Sequence, residues 1–144
     1  MATKSLAEKL KLKSGQRACI INMPDGYLQT LAPFPESIYF SYELDPPTGR
    51  FDWLQLFVRT QAELEELAPQ AIESLKPESL LWLTFPKGSS KIQTDLTRDR
   101  GWDSLRDVDL KWVNLISVDK TWSAFGLRPY QPDEERTASW PGSV

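Results

Sequence analysis

Residues 80–91 read Leu80-Leu81-Trp82-Leu83-Thr84-Phe85-Pro86-Lys87-Gly88-Ser89-Ser90-Lys91, and this stretch decides the fold. A mostly apolar run enters a loop of Pro, Lys, Gly and Ser. A run this short, bounded by turn residues, predicts a buried strand rather than a helix. Open α/β sheets gather ligands in the crevice beyond the carboxyl ends of such strands. The stretch therefore predicts a central strand and, directly after it, a candidate site.

Upstream, Thr60 and Glu63 have capping-box spacing. Leu64, Leu67, Ala68, Ala71, Ile72 and Leu75 then form one apolar face at helical spacing. Pro69 lies off that face; it has no N–H and is expected to kink or split the helix. Residues 17–23 (RACIINM) and 51–58 (FDWLQLFV) are nearly continuous in apolar character, the pattern of parallel strands buried on both faces. Residues 37–44 alternate weakly and read as a further strand, and Pro46-Pro47 makes 45–50 a loop. Short helices are predicted at 5–10, where Ser5 and Glu8 have capping-box spacing, and at 25–32. Downstream, 95–107 reads as a helix capped by Thr94 or Asp95, although Gly101 opposes it. Residues 111–118 and 121–128 read as a hairpin around Asp119-Lys120, which is not a favoured primed-turn pair and leaves room for a bulge. Such alternation of strands and helices predicts a single-domain α/β fold over 1–128, with a mostly parallel sheet, helices on both faces and an antiparallel edge hairpin. Residues 129–144 are polar and aperiodic and read as a loosely docked C-terminal tail.

A chain of 144 residues with a net charge of −3 is long enough for a real core and lacks the basic surplus of a general nucleic-acid binder. Its single cysteine, Cys19, allows no intramolecular disulfide and reads as a buried thiol in the first strand. There is no histidine, which removes Ser-His-Asp and Cys-His catalysis and nearly all zinc sites. No window approaches about 18 consecutive apolar residues, and the first residues lack the apolar core of a secretory signal, so a cytoplasmic, non-membrane protein is expected.

Two resemblances follow from particular residues. Phe51-Asp52-Trp53-Leu54, then Leu75-Lys76-Pro77 leading into Leu80-Leu81-Trp82-Leu83, resembles the second half of a Rossmann-like methyltransferase, which implies the same frame here. In place of that family's glycine-rich turn after the first strand stands Asn22-Met23-Pro24-Asp25-Gly26-Tyr27. A turn with one glycine and one proline keeps the backbone farther from a nucleoside, so the resemblance lends its architecture and no cofactor. The chain is also similar to a bacterial family of unknown function through Pro86-Lys87-Gly88-Ser89-Ser90, Thr94-Asp95-Leu96-Thr97-Arg98-Asp99 and Thr121-Trp122-Ser123. That family implies no activity.

If the first, third and fourth strands are parallel, their loops meet at one sheet edge. The candidate ligand-binding residues there are Asp25, Arg59, Lys87, Gly88, Ser89, Ser90, Asp95, Arg98 and Trp122. Backbone amides of 87–90 form a potential nest for a phosphate or carboxylate. The lysine precedes the only glycine, which is the wrong order for a P-loop. The bland alternative is a solvated loop that caps a helix. No catalytic or metal-ligating residue is assigned. The expectation is a non-enzymatic module that binds a protein partner or small anion, without cofactor, nucleic acid or membrane. The alternative is a small-molecule enzyme or divergent methyltransferase-like protein.

Overall fold

The computed structural model describes residues 5–44 and 50–136. Six strands form one sheet: β1 (Arg17–Ile21), β2 (Tyr39–Ser41), β3 (Phe51–Phe57), β4 (Leu75–Pro86), β5 (Leu110–Ser117) and β6 (Trp122–Pro129). Their order is β2-β1-β3-β4-β6-β5, parallel from β2 through β4 and antiparallel across β4-β6-β5. The helices are α1 (Leu6–Lys9), α2 (Tyr27–Leu31) and α3 (Gln61–Glu73).

Alternate side chains of the central strands enter two separate cores, which is why their sequences are apolar without a break. On one face Cys19, Leu54, Leu56, Leu81, Leu83 and Phe125 pack under Leu64, Ala68 and Ala71 of α3. On the other, Ala18, Ile20, Trp53, Phe57 and Trp82 pack under α1 and α2 through Ala7, Leu10, Tyr27 and Leu31. Two indoles fix α1 to this second face: Trp53 Nε1 and Trp82 Nε1 both donate to the Leu10 carbonyl, at 2.7 and 2.9 Å.

Thr60 caps α3, its hydroxyl accepting from the Glu63 amide at 3.1 Å. Glu63 does not complete the reciprocal box; its carboxylate accepts instead from the Arg59 amide at 2.7 Å. Pro69 does not divide the helix, which runs on as one α-helix to Glu73. The proline sits on the exposed side, where water can satisfy the carbonyl it leaves unbonded. β4 begins at Leu75, directly after the Ser74 cap, with Leu75 opposite Phe51 and a register shift before Trp53 meets Leu80. β2 is only three residues long, and residues 45–49, predicted as loop, lie outside the described residues.

The largest departure is at 95–107, where no α-helix forms. Turns and bends lead to one 3-10 turn, Asp103–Leu105. Local side-chain bonds outcompete the helix. Thr94 Oγ1 accepts from the Leu96 amide at 3.0 Å, Thr97 Oγ1 accepts from the Arg100 amide at 3.1 Å, and Thr97 and Arg100 exchange backbone bonds. Gly101 adopts φ +102°, a left-handed value that a helix interior does not use. The apolar residues that suggested helical spacing instead drop singly into the α3-side core: Leu96, Trp102 and Leu105 are buried there. Trp102 lies edge-to-face on Phe85, Phe125 and Trp112. In the hairpin the irregularity falls inside the strand, between Trp112 and Asn114, and not at the turn. There the Asp119 carboxylate accepts from the Thr121 and Trp122 amides at 2.8 and 2.9 Å. Of the tail, residues 129–136 return to the hairpin, where Glu134 pairs with Arg128 at 2.8 Å and Lys111 at 3.0 Å.

Candidate functional site

The carboxyl ends of β1, β3 and β4 open on the same edge, and the connections diverge there, from β1 to β2 on one side and from β3 to β4 on the other. Ligand crevices of open α/β sheets lie at such switch points. Asn22 follows β1 with φ +64°, taking the left-handed position for which glycine is the usual residue. Its side-chain amide crosses the crevice, donating to the Phe57 carbonyl at 2.9 Å and to Glu63 Oε2 at 3.2 Å. Beneath this edge runs a buried relay on the α2 face. Tyr27 Oη donates to Gln55 Oε1 at 2.7 Å, and Gln55 Nε2 donates to Thr84 Oγ1 at 3.0 Å. Burial pushes the Tyr27 phenol above its ordinary pKa, so it remains a donor.

Among the predicted site residues, Arg59 and Trp122 come together: the guanidinium lies 5.4 Å from the indole ring centre, a cation–π contact on a buried tryptophan. Gly88 and Asp95, with Thr60, Ile92, Gln93, Thr94, Leu96 and Thr97, line an open cleft of about 610 Å³ beside the start of α3. Asp95 spends its carboxylate on structure, Oδ1 accepting from the Gln61 amide at 2.7 Å. Lys87 turns toward the hairpin, Nζ donating to Ser117 Oγ at 2.6 Å. Ser90 Oγ accepts from the Ile92 amide at 3.4 Å, and Ser89 is exposed. Arg98 pairs with its neighbour Asp99 at 3.5 Å in an exposed turn, and Asp25 stands exposed in the turn after β1. With no helix at 95–107, the 87–90 loop does not lead into a helix N-terminus. Two of the quoted sequence pieces do meet: Pro86 pairs with Trp122, and the Lys87 amide donates to the Thr121 carbonyl at 2.7 Å.

Sequence reasoning passed over Glu43. It lies just past β2, exposed, about twenty residues beyond the β1 turn, the spacing at which Rossmann-type sheets place an acid for ribose hydroxyls. An acid at that interval was the available signal, obscured by the proline-rich segment that follows.

No family model and no curated protein sequence matches the chain. Solved structures do. A SAM-dependent methyltransferase from Aquifex aeolicus superposes with a TM-score of 0.58 at 11% identity, over 83% of this chain and 85% of that one. A TehB-like SAM-dependent methyltransferase from Corynebacterium glutamicum gives 0.55 at 11%, over 87% and 85%. The Bacillus subtilis tRNA methyltransferase TrmK gives 0.50 at 10%, over 92% and 68%. The fold resembles that of the Rossmann-like SAM-dependent methyltransferases. This corrects the expectation of a non-enzymatic module, which rested on the missing glycine turn. The repeated likeness covers most of the chain, and at 10–11% identity it shows a shared fold. The turn after β1 lacks the glycine pattern, with Asn22 in the left-handed position, while the strand order of this sheet has a switch point.

Glu43, an exposed acid just past β2, has the chemistry that accepts from ribose hydroxyls. The β1 turn already has its left-handed residue. Asn22 fits as an amide in the place of bare glycine backbone.

Proposed function

We propose that this chain is a divergent methyltransferase-like enzyme that binds S-adenosylmethionine at the carboxyl edge, between β1, β2 and β3, with its substrate in the cleft beside Thr60. The observation that carries the reading is the switch point between β1 and β3, within a fold that superposes on SAM-dependent methyltransferases over most of its length. The cofactor, when bound, supplies an electrophilic methyl group. The chain's own part is to bind and orient. Glu43 would accept from ribose hydroxyls, and the Asn22 amide would exchange its Glu63 contact for one to the ligand. The Arg59 guanidinium, held over the Trp122 ring, would face an anionic portion of the substrate. Fixing nucleophile and methyl group in line is the main requirement of such a transfer, since effective molarity alone removes a large part of the barrier. We also propose that the Pro86–Ser90 loop and the Thr121–Ser123 turn, adjacent in space, are one functional unit of the bacterial family that the sequence resembles.

Calorimetric titration with S-adenosylmethionine and S-adenosylhomocysteine tests this. Ligand at about 100 times its dissociation constant should stabilise the protein by about 2.7 kcal/mol in a thermal melt. Glu43→Gln should weaken binding by about tenfold, since a hydrogen bond to a charged group contributes about 1.5–3 kcal/mol. Absence of any calorimetric signal and of any melting shift with both compounds would overturn the reading.

A further inference from the structure

A second site lies toward the opposite, amino ends of the same strands. Arg17 opens β1, Tyr39 opens β2 directly opposite it in register, and Arg50 immediately precedes β3. Arg17, Arg50, Tyr39, Ser41 and Phe51 line one cleft of about 170 Å³, and Arg50 and Ser41 also line an adjoining one of about 320 Å³ with Tyr42 and Glu43. The smaller space is several times the about 30 Å³ share of a water molecule.

The arginines there are unusual in a chain of net charge −3. Neither guanidinium donates to a carboxylate among the described residues. The nearest acid on β3, Asp52, is already engaged by the Arg17 amide at 2.9 Å and by Lys76 Nζ at 3.2 Å. Arg50 is held over the Phe51 ring at 5.0 Å, and its Nε is buried with no hydrogen-bond partner among the described residues. A buried donor left unpaired is a standing cost, and an ion is one of the few things that removes it. Its charge also reaches inward: it opposes the desolvation that pushes the Cys19 thiol up to about 12. Two rigid forks of N–H donors beside two hydroxyl-bearing residues match a tetrahedral oxyanion better than a planar or cationic ligand. Tyr39, 68% exposed, adds an open aromatic surface beside the pair.

We propose that Arg17 and Arg50, with Tyr39 and Ser41, form a binding site for the phosphate group of a small molecule, distinct from the carboxyl-edge site and adjoining it at Glu43. Glu43, in the adjoining cleft, narrows the choice by repelling a ligand that carries further negative charge on that side.

Titration of ¹⁵N-labelled protein with inorganic phosphate and with AMP, at ionic strength matched by sodium chloride, tests it. The Arg50 Nε–H resonance and the Arg17 and Ser41 amides should shift saturably, with a dissociation constant of about a millimolar or below. Tighter binding of AMP than of phosphate assigns the source to a nucleotide, and equal binding assigns it to free phosphate. Arg17→Gln, at an exposed position, should weaken binding about tenfold or more without unfolding the chain. Arg50→Lys keeps the charge and the stem on Phe51 but loses the fork, and should also weaken it. Shifts reproduced by sodium chloride alone, or undiminished in both variants, would overturn the proposal. So would binding of a single-stranded oligonucleotide with none of phosphate or AMP.

Discussion

Replacing Tyr27 by Phe removes one oxygen from the relay beneath the switch point. Gln55 and Thr84 are fully buried, so no water can replace the lost phenol. Gln55 Oε1 would then lack a donor in a low-dielectric interior, at a cost of about 1–3 kcal/mol. The ring itself stays, edge-to-face on Phe57 with centroids 4.7 Å apart, so little packing is lost. Taking about 2 kcal/mol, the melting temperature should fall by about 5–8 °C for a chain of this size. The assay is chemical denaturation followed by circular dichroism, with equal slopes for both proteins to show that the unfolded state is unchanged. Replacing all three members by shape-matched apolar residues (Tyr27→Phe, Gln55→Leu, Thr84→Val) should recover much of the loss, because unpaired polar groups and not missing contacts cause it. A single Tyr27→Phe variant as stable as the parent would refute the reasoning, since it would mean that the relay is not closed.

Other outcomes follow from single positions. A methyl group on Gly126 would stand 2.5 Å from Asn114 Oδ1 and 2.9 Å from the Trp82 ring. Gly126→Ala should therefore cost about 1–3 kcal/mol in denaturant, and adding Asn114→Ala should not rescue it, because buried Trp82 remains. The Cys19 thiol, fully buried and with its pKa pushed up to about 12, should resist a thiol reagent at pH 8 until the protein is unfolded. Hydrogen bonds from Arg128, Gln131 and Lys111 hold the Glu134 carboxyl far below its ordinary pKa. A depressed carboxyl contributes stability above its unfolded pKa and loses it as pH falls through the folded one. Residues 129–136 should therefore stay docked at neutral pH and release in strong acid, visible as loss of amide-exchange protection. Glu134→Gln should release them at every pH.

The sequence made the central strands legible because burial on both faces leaves little freedom: 17–21, 51–57 and 80–85 are apolar at nearly every position. Helix α3 was equally plain from its stripe. The region 95–107 was misread because spacing records which residues are buried and not how the backbone delivers them. Leu96, Trp102 and Leu105 reach the core from an irregular loop that Thr94 and Thr97 stabilise by local hydroxyl bonds. At the candidate site, Arg59 and Trp122 were named separately and proved to touch, whereas Lys87 and Asp95 spend their charges on Ser117 and on the start of α3. Such pairings depend on register between distant strands, which a linear reading does not supply. Arg17 and Arg50 were hidden for the same reason. Nothing local marks them, and only the strand order gives them a shared cleft.

The Leu10 carbonyl that receives two indole N–H groups has a consequence for the order of assembly. The first helix of the described chain cannot be fully docked until Trp82, 72 positions later, has emerged and joined the sheet. Early and late chain segments are thereby locked by one oxygen atom. The tryptophans that make the lock also emit light, so the change in their fluorescence on refolding should time the closing step.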